Sequence, residues 1–126
     1  MIVCVSSCAV RRSYSGGEQP DIAGVLAVYP FTAWMQNVDA VIGRFQVPLT
    51  MLVGSADTYG NCCTINKARE IEKVAKAKSK TFDMVVYENA EHAYYLSGRY
   101  HRTDYARDTW KRTGEWLKRA HADTET

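Results

Sequence analysis

The sequence predicts an α/β domain, with parallel strands in the middle and helices on the faces. Three short apolar runs point to it: residues 22–29 (IAGVLAVY), 49–53 (LTMLV) and 82–87 (FDMVVY). Each ends at Pro, Gly or a polar turn, as strands buried on both faces do. Between the last two runs, residues 64–80 place Ile65, Ala68, Ile71, Val74, Ala75 and Ala77 at three- and four-residue steps. Lys67, Arg69, Glu70, Lys73, Lys76 and Lys78 fill the opposite side, so this is an amphipathic helix. A strand, helix, strand order of this kind implies a parallel sheet.

With 126 residues the chain has room for one domain of modest core. An apolar content of 46% against 24% charged excludes wholesale disorder. The net charge of +2 is too small to argue for nucleic acid or an anionic membrane as partner. No apolar run approaches the roughly 18 residues of a membrane span. Residues 1–10 (MIVCVSSCAV) superficially resemble a secretion signal, but Arg11 and Arg12 follow the apolar part instead of preceding it. A cytoplasmic location is the expectation.

Cys4 and Cys8 have i, i+4 spacing, and Cys62 and Cys63 are adjacent, a poor geometry for a mutual disulfide. No CxxC occurs, so the spacing of zinc ribbons and fingers is missing. Reduced, half-buried thiols are the expectation, with neither metal nor cofactor. A metal site on Cys62, Cys63 and His92 is the minority alternative.

Along the chain, residues 1–12 are small and apolar and fit either a helix or a strand. Residues 13–21 (SYSGGEQPD) form a loop. Residues 31–47 read as a connecting, lid-like excursion, with Trp34, Met35, Val38, Val41, Ile42 and Phe45 near helical spacing. Residues 58–63 are a polar turn, and 89–102 an aromatic loop. Thr103 or Asp104 can cap a last helix. Its stripe is Ala106, Thr109, Trp110, Thr113, Trp116, Leu117 and Ala120, which makes Trp110 and Trp116 core residues. The tail 121–126 is expected to fray. A sheet of three strands is narrow and leaves an apolar edge uncovered.

The chemistry gathers behind two strands. Pro48 opens the run that ends at Gly54, and Asp57 follows; His92 stands on the loop after the next strand. Consecutive parallel strands joined by a crossover helix lie side by side, so both loops sit at one end of the sheet. A carboxylate bonded to an imidazole Nδ1 fixes its tautomer and supports its proton uptake. Asp57 can instead be a turn residue that bonds its own backbone, and His92 a structural histidine. Tyr94, Tyr95, Tyr100 and Tyr105 either line a pocket or pack over the sheet edge. Arg99 and Arg102 either attract a carboxylated substrate or belong to a solvated loop.

Residues 48–57 (PLTMLVGSAD), then 85–94 (VVYENAEHAY), resemble the C-terminal third of the α/β-hydrolase fold and within it the dienelactone hydrolase family. The shared features are a Pro-led strand ending in Gly-x-x-Asp, a strand leading to His-Ala-aromatic, and a final helix. Residues 22–30 are similar to the strand and Tyr-Pro that precede them. The resemblance implies a partial α/β-hydrolase fold of about three parallel strands with flanking helices, a single incomplete domain over residues 1–126. It also implies Asp57 as triad acid and His92 as triad base, in the chain order of that fold. A small ester or lactone would be the substrate, with no cofactor.

No Gly-x-[Ser or Cys]-x-Gly elbow occurs. Ser15, in Ser13-Tyr14-Ser15-Gly16-Gly17, comes nearest, but Pro20 and the next strand leave no room for the helix that an elbow needs. Residues 1–12 are better aligned as the helix after the elbow, which places the nucleophile upstream. The chain is then a C-terminal segment, inactive alone. The alternative is a non-enzymatic α/β module that binds a partner or self-associates through its open sheet edge.

Overall fold

Residues 2–4, 7–11, 22–95 and 98–124 are described by a computed structural model, with side chains at 24–95 and 98–119. Ser15 and the whole 13–21 loop lie outside the described residues. Three strands, β3 (Ile22–Val28), β4 (Leu49–Gly54) and β5 (Phe82–Tyr87), run parallel with β4 between the others. Each is an apolar run named from the sequence, matched to within a residue at its ends. The side chains alternate as strand geometry requires. Leu26, Val28 and Leu52 face one side, whereas Ala27, Met51 and Val53 face the other.

Two helices cover the second side. In α1 (Val38–Gly43), Val38 and Ile42 are buried, and Asn37 caps the helix by accepting from the Ala40 amide at 3.1 Å. In α2 (Ile65–Ala77), Ala68, Ile71 and Ala75 are buried, with Thr64 as the cap. The helix α3 (Thr103–Thr124) covers the first side and buries Ala106, Thr109 and Trp116. It continues through 121–124, residues for which the sequence suggested a frayed tail. Trp110, expected in the core, is 71% exposed. It follows buried Thr109 by one residue, about 100° further round the helix, and so leaves the stripe.

Residues 1–12 overturn their alignment as a helix. They contain β1 (Ile2–Cys4) and β2 (Ser7–Arg11), an antiparallel pair that extends the sheet to the order β1-β2-β3-β4-β5. The segment is rich in β-branched Ile2, Val3, Val5 and Val10, which favour extended backbone. The β3 side of the three parallel strands is therefore occupied, because β2 pairs with β3. The sheet ends instead at β1 and β5.

Beyond their ends, β4 and β5 remain zipped. The Ser55 amide donates to the Tyr87 carbonyl and the Ala56 amide to the Ala90 carbonyl, both at 3.0 Å. Ser55 Oγ accepts from the Asn89 amide at 2.7 Å. The Tyr105 hydroxyl, from α3, donates to the Glu88 carbonyl at 2.8 Å. Gly54 is required here for space, since a Cβ would run into the Ala90 carbonyl.

A polar chain ties the sheet to α3. Tyr87 donates to Asp108 Oδ2 at 2.7 Å, and Thr109 donates to the Tyr87 oxygen at 3.3 Å. The single Thr109 proton is thereby used, so Tyr94 is the donor in its 2.7 Å bond to Thr109. Burial, with the Asp108 contact adding to it and the Thr109 bond opposing it, pushes the Tyr87 phenol up to about 12. The Arg112 guanidinium and the Tyr87 hydroxyl hold the Asp108 carboxyl below its usual range.

Two outcomes follow from this packing. Because the folded pKa of Tyr87 lies above the unfolded value of about 10, its contribution is complete below that pH and lost as pH rises toward 12. The melting temperature should therefore fall above pH ~10, in step with phenolate absorbance. Gly54→Ala should lower the unfolding free energy in urea by about 1–3 kcal/mol, whereas Trp110→Ala should change it by less than about 0.5 kcal/mol.

Candidate functional site

The zipped loops carry Asp57 and His92 to the same place. Asp57 closes the turn after β4, its amide donating to the Gly54 carbonyl at 3.3 Å. Its side chain is 1% exposed. One carboxylate oxygen, Oδ1, accepts from the Tyr59 amide at 3.2 Å. The other, Oδ2, lies 2.9 Å from His92 Nδ1. The two readings of Asp57 are thus not exclusive, since it bonds its own turn and the imidazole together. A carboxylate has no proton to give, so Nδ1 carries the hydrogen in this contact, and in the neutral form of the ring Nε2 is the acceptor.

Two aromatic rings pack against the imidazole. Tyr59 stacks on it at 5.0 Å between centroids and 15° between planes, and Tyr29 packs tilted at 4.5 Å. Burial, then a hydrogen bond with Tyr95, pushes the Tyr29 phenol up, with the Asp57 charge adding to the effect. Tyr29 is therefore a neutral wall at ordinary pH. Tyr29, Asn61, Asn89 and Ala93 all adopt positive φ around this pair. Such backbone costs on the order of 1–3 kcal/mol per residue and persists only where surrounding contacts impose it.

Two cavities flank the ring. One, of about 360 Å³, is bounded by Tyr29, Phe31, Tyr59, Gly60, Cys62, Cys63 and His92. The other, of about 380 Å³, lies between Thr58, Tyr59, Glu91, His92, Ala93 and Tyr100. His92 keeps a quarter of its side chain exposed toward them. Of the four tyrosines weighed for a pocket, Tyr100 lines this space. Tyr94 is fully buried in the core under α3, Tyr105 packs against the same cluster, and Tyr95 stacks on Tyr29. Arg102 pairs with Asp104 at 3.2 Å and lies over the Tyr105 ring. Arg99 lies over the Tyr100 ring.

The cysteines depart from expectation. Cys62 and Cys63 are joined to each other in a disulfide, their Cα atoms 3.8 Å apart. The turn that makes this reachable runs through Gly60 and Asn61, both in the left-handed region. Side chains of Cys4 and Cys8 lie outside the described residues. Tyr29 and Tyr59 also reach the imidazole, and neither is marked out by the sequence. Tyr29 ends a strand next to Pro30, a signal that marked the strand's end but not the ring's direction.

These features can be set beside known proteins. The family model of the dienelactone hydrolase family matches residues 8–121. A protein of Methylorubrum extorquens provisionally named a carboxymethylenebutenolidase is 34% identical over 84 residues, which is 66% of this chain and 28% of that one. The crystal structure of a Klebsiella pneumoniae protein provisionally described as a dienelactone hydrolase superposes with a TM-score of 0.62 at 20% identity. That match covers 74% of this chain and 40% of the solved one, and it shows the shared fold. The chain thus spans under half the length of either relative. With its parallel strands, flanking helices and a family match over almost its whole length, the chain belongs to the dienelactone hydrolase family.

Proposed function

We propose that this chain supplies the acid and base of an acyl-transfer site that cleaves a small ester or lactone. The observation that carries this reading is the 2.9 Å contact between buried Asp57 and half-buried His92 on adjacent loops. In the proposed reaction, His92 Nε2 takes the proton of a nucleophilic hydroxyl or thiol as that group attacks the acyl carbon. Asp57 holds the Nδ1 tautomer and stabilises the imidazolium. His92 then passes the proton to the departing alkoxide, and water releases the acid by the same route. In a lactone, that alkoxide remains tethered to the acyl chain.

The nucleophile is assigned to sequence N-terminal to this segment. Support comes from the lack of a Gly-x-[Ser or Cys]-x-Gly elbow and from the 28% share of the curated relative that this chain spans. The described chain should then hydrolyse little on its own, because an acid–base pair has nothing to deprotonate. The cavities beside His92 suit a small substrate, at about 360 and 380 Å³.

The test uses a protein joining this chain to its N-terminal sequence. His92→Ala should lower kcat on an aryl ester by on the order of a thousandfold to ten-thousandfold. Asp57→Asn should also lower it, since the tautomer is no longer held. Labelling by a reactive phosphonate should slow in parallel. Turnover and labelling that survive His92→Ala unchanged would rule the assignment out.

A further inference from the structure

The turn after β4 gathers more donors than an acid–base pair needs. One donor atom each from Asp57, Cys62, Cys63 and His92 lie within 4.8 Å of one another. With the two sulfurs released from their disulfide as thiolates, they form with an imidazole nitrogen and a carboxylate oxygen a set suited to Zn²⁺ and other thiophilic cations. Hard cations such as Mg²⁺ and Ca²⁺ prefer all-oxygen shells. The cluster is also held from outside. The Cys62 carbonyl accepts from the Thr32 amide at 2.9 Å and the Ala33 amide at 3.0 Å, anchoring the cysteine turn to the loop after β3. The Tyr59 amide holds Asp57, and Tyr29 and Tyr59 hold the ring. Such outer contacts fix ligand orientation in metal sites. The cavity bounded by Cys62, Cys63 and His92 gives a cation a way in.

We infer that reduction of the Cys62–Cys63 bond creates a site for one thiophilic divalent cation on Cys62, Cys63, His92 and Asp57. An external dithiol supplies the reduction. Its two sulfurs bond to each other, and two electrons and two protons pass to the cysteines, which become thiols. Cation binding then displaces those thiol protons to solvent. The oxidised chain leaves the imidazole to Asp57, and the reduced, loaded chain engages it with the cation. Oxidation state thereby decides whether His92 is free to carry protons. Cation binding itself stands apart from the acyl-transfer reading, because its readout is spectroscopic and needs no turnover.

The experiment uses the 126-residue chain with Cys4→Ser and Cys8→Ser, so that other thiols do not contribute. The protein is reduced with a phosphine, freed of it without oxygen, and titrated with Co²⁺. Expected is one equivalent bound with a thiolate-to-cobalt charge-transfer band, bleached by Zn²⁺ and absent from the oxidised protein. Cys62→Ser should abolish the band, and His92→Asn should weaken binding by about tenfold or more. Zn²⁺ should raise the melting temperature of the reduced chain and leave that of the oxidised chain unchanged. That measurement needs no ligand variant to fold. The inference is overturned if reduced protein shows no such band at saturating Co²⁺, if the band survives Cys62→Ser, or if His92→Asn binds as tightly as its parent.

Discussion

The Ala56 amide reaches the Ala90 carbonyl because Gly54 has no side chain to hold that carbonyl away. This close approach lets the loops after β4 and β5 continue the pairing of their strands for two further hydrogen bonds. Asp57 and His92 inherit their separation from it. Two loops of this length would otherwise sample many relative positions, and ordering each residue costs roughly 1–2 kcal/mol. The zip, the Ser55 contact with the Asn89 amide and the Tyr105 contact with the Glu88 carbonyl offset part of that cost. The rest comes from Tyr87, Ala90 and Tyr94, which are all buried beneath α3.

A carboxylate on a side chain 1% exposed is costly to bury unless its oxygens find donors. Asp57 has one donor on each, from its own turn and from the imidazole. Aromatic contacts complete the environment. Tyr59 and Tyr29 keep water from much of the ring while leaving one side open to cavities, so the ring is both oriented and reachable. Rigid aromatics suit this role because they have few rotamers to lose. Asn89 takes up the left-handed backbone readily, but Ala93 does not, so its positive φ is imposed by the packing around it.

The cysteine turn gives the same corner of the fold a second chemistry. Residues 58–63 would serve as a plain connection from β4 to α2, yet they bring two sulfurs to the imidazole that the loop after β5 supplies. The shared element is His92. Any group that takes up its lone pair competes with proton transfer at that atom, which links the proposed acid–base role to the oxidation state of its neighbours.

Much of this architecture was legible before any coordinates. The runs 49–53 and 82–87 and the stripe of α2 depend on periodicity within a few residues, and each became the element expected. The meeting of Asp57 and His92 was legible through topology, since chain order alone sets neighbouring parallel strands side by side with their ends together. Other features rest on contacts between residues distant in sequence. Residues 1–12 fitted helix or strand locally, and pairing with β3 settled the matter. Trp110 fell outside the core because α3 meets the sheet along a line through Thr109 and Trp116, a choice of rotation that its own spacing left open. The packing of Tyr29 and Tyr59 against His92 and the closing of Cys62 onto Cys63 follow from where three loops converge. Local patterns specify which backbone forms and in what order, but the direction a loop side chain takes is set by whatever packs against it.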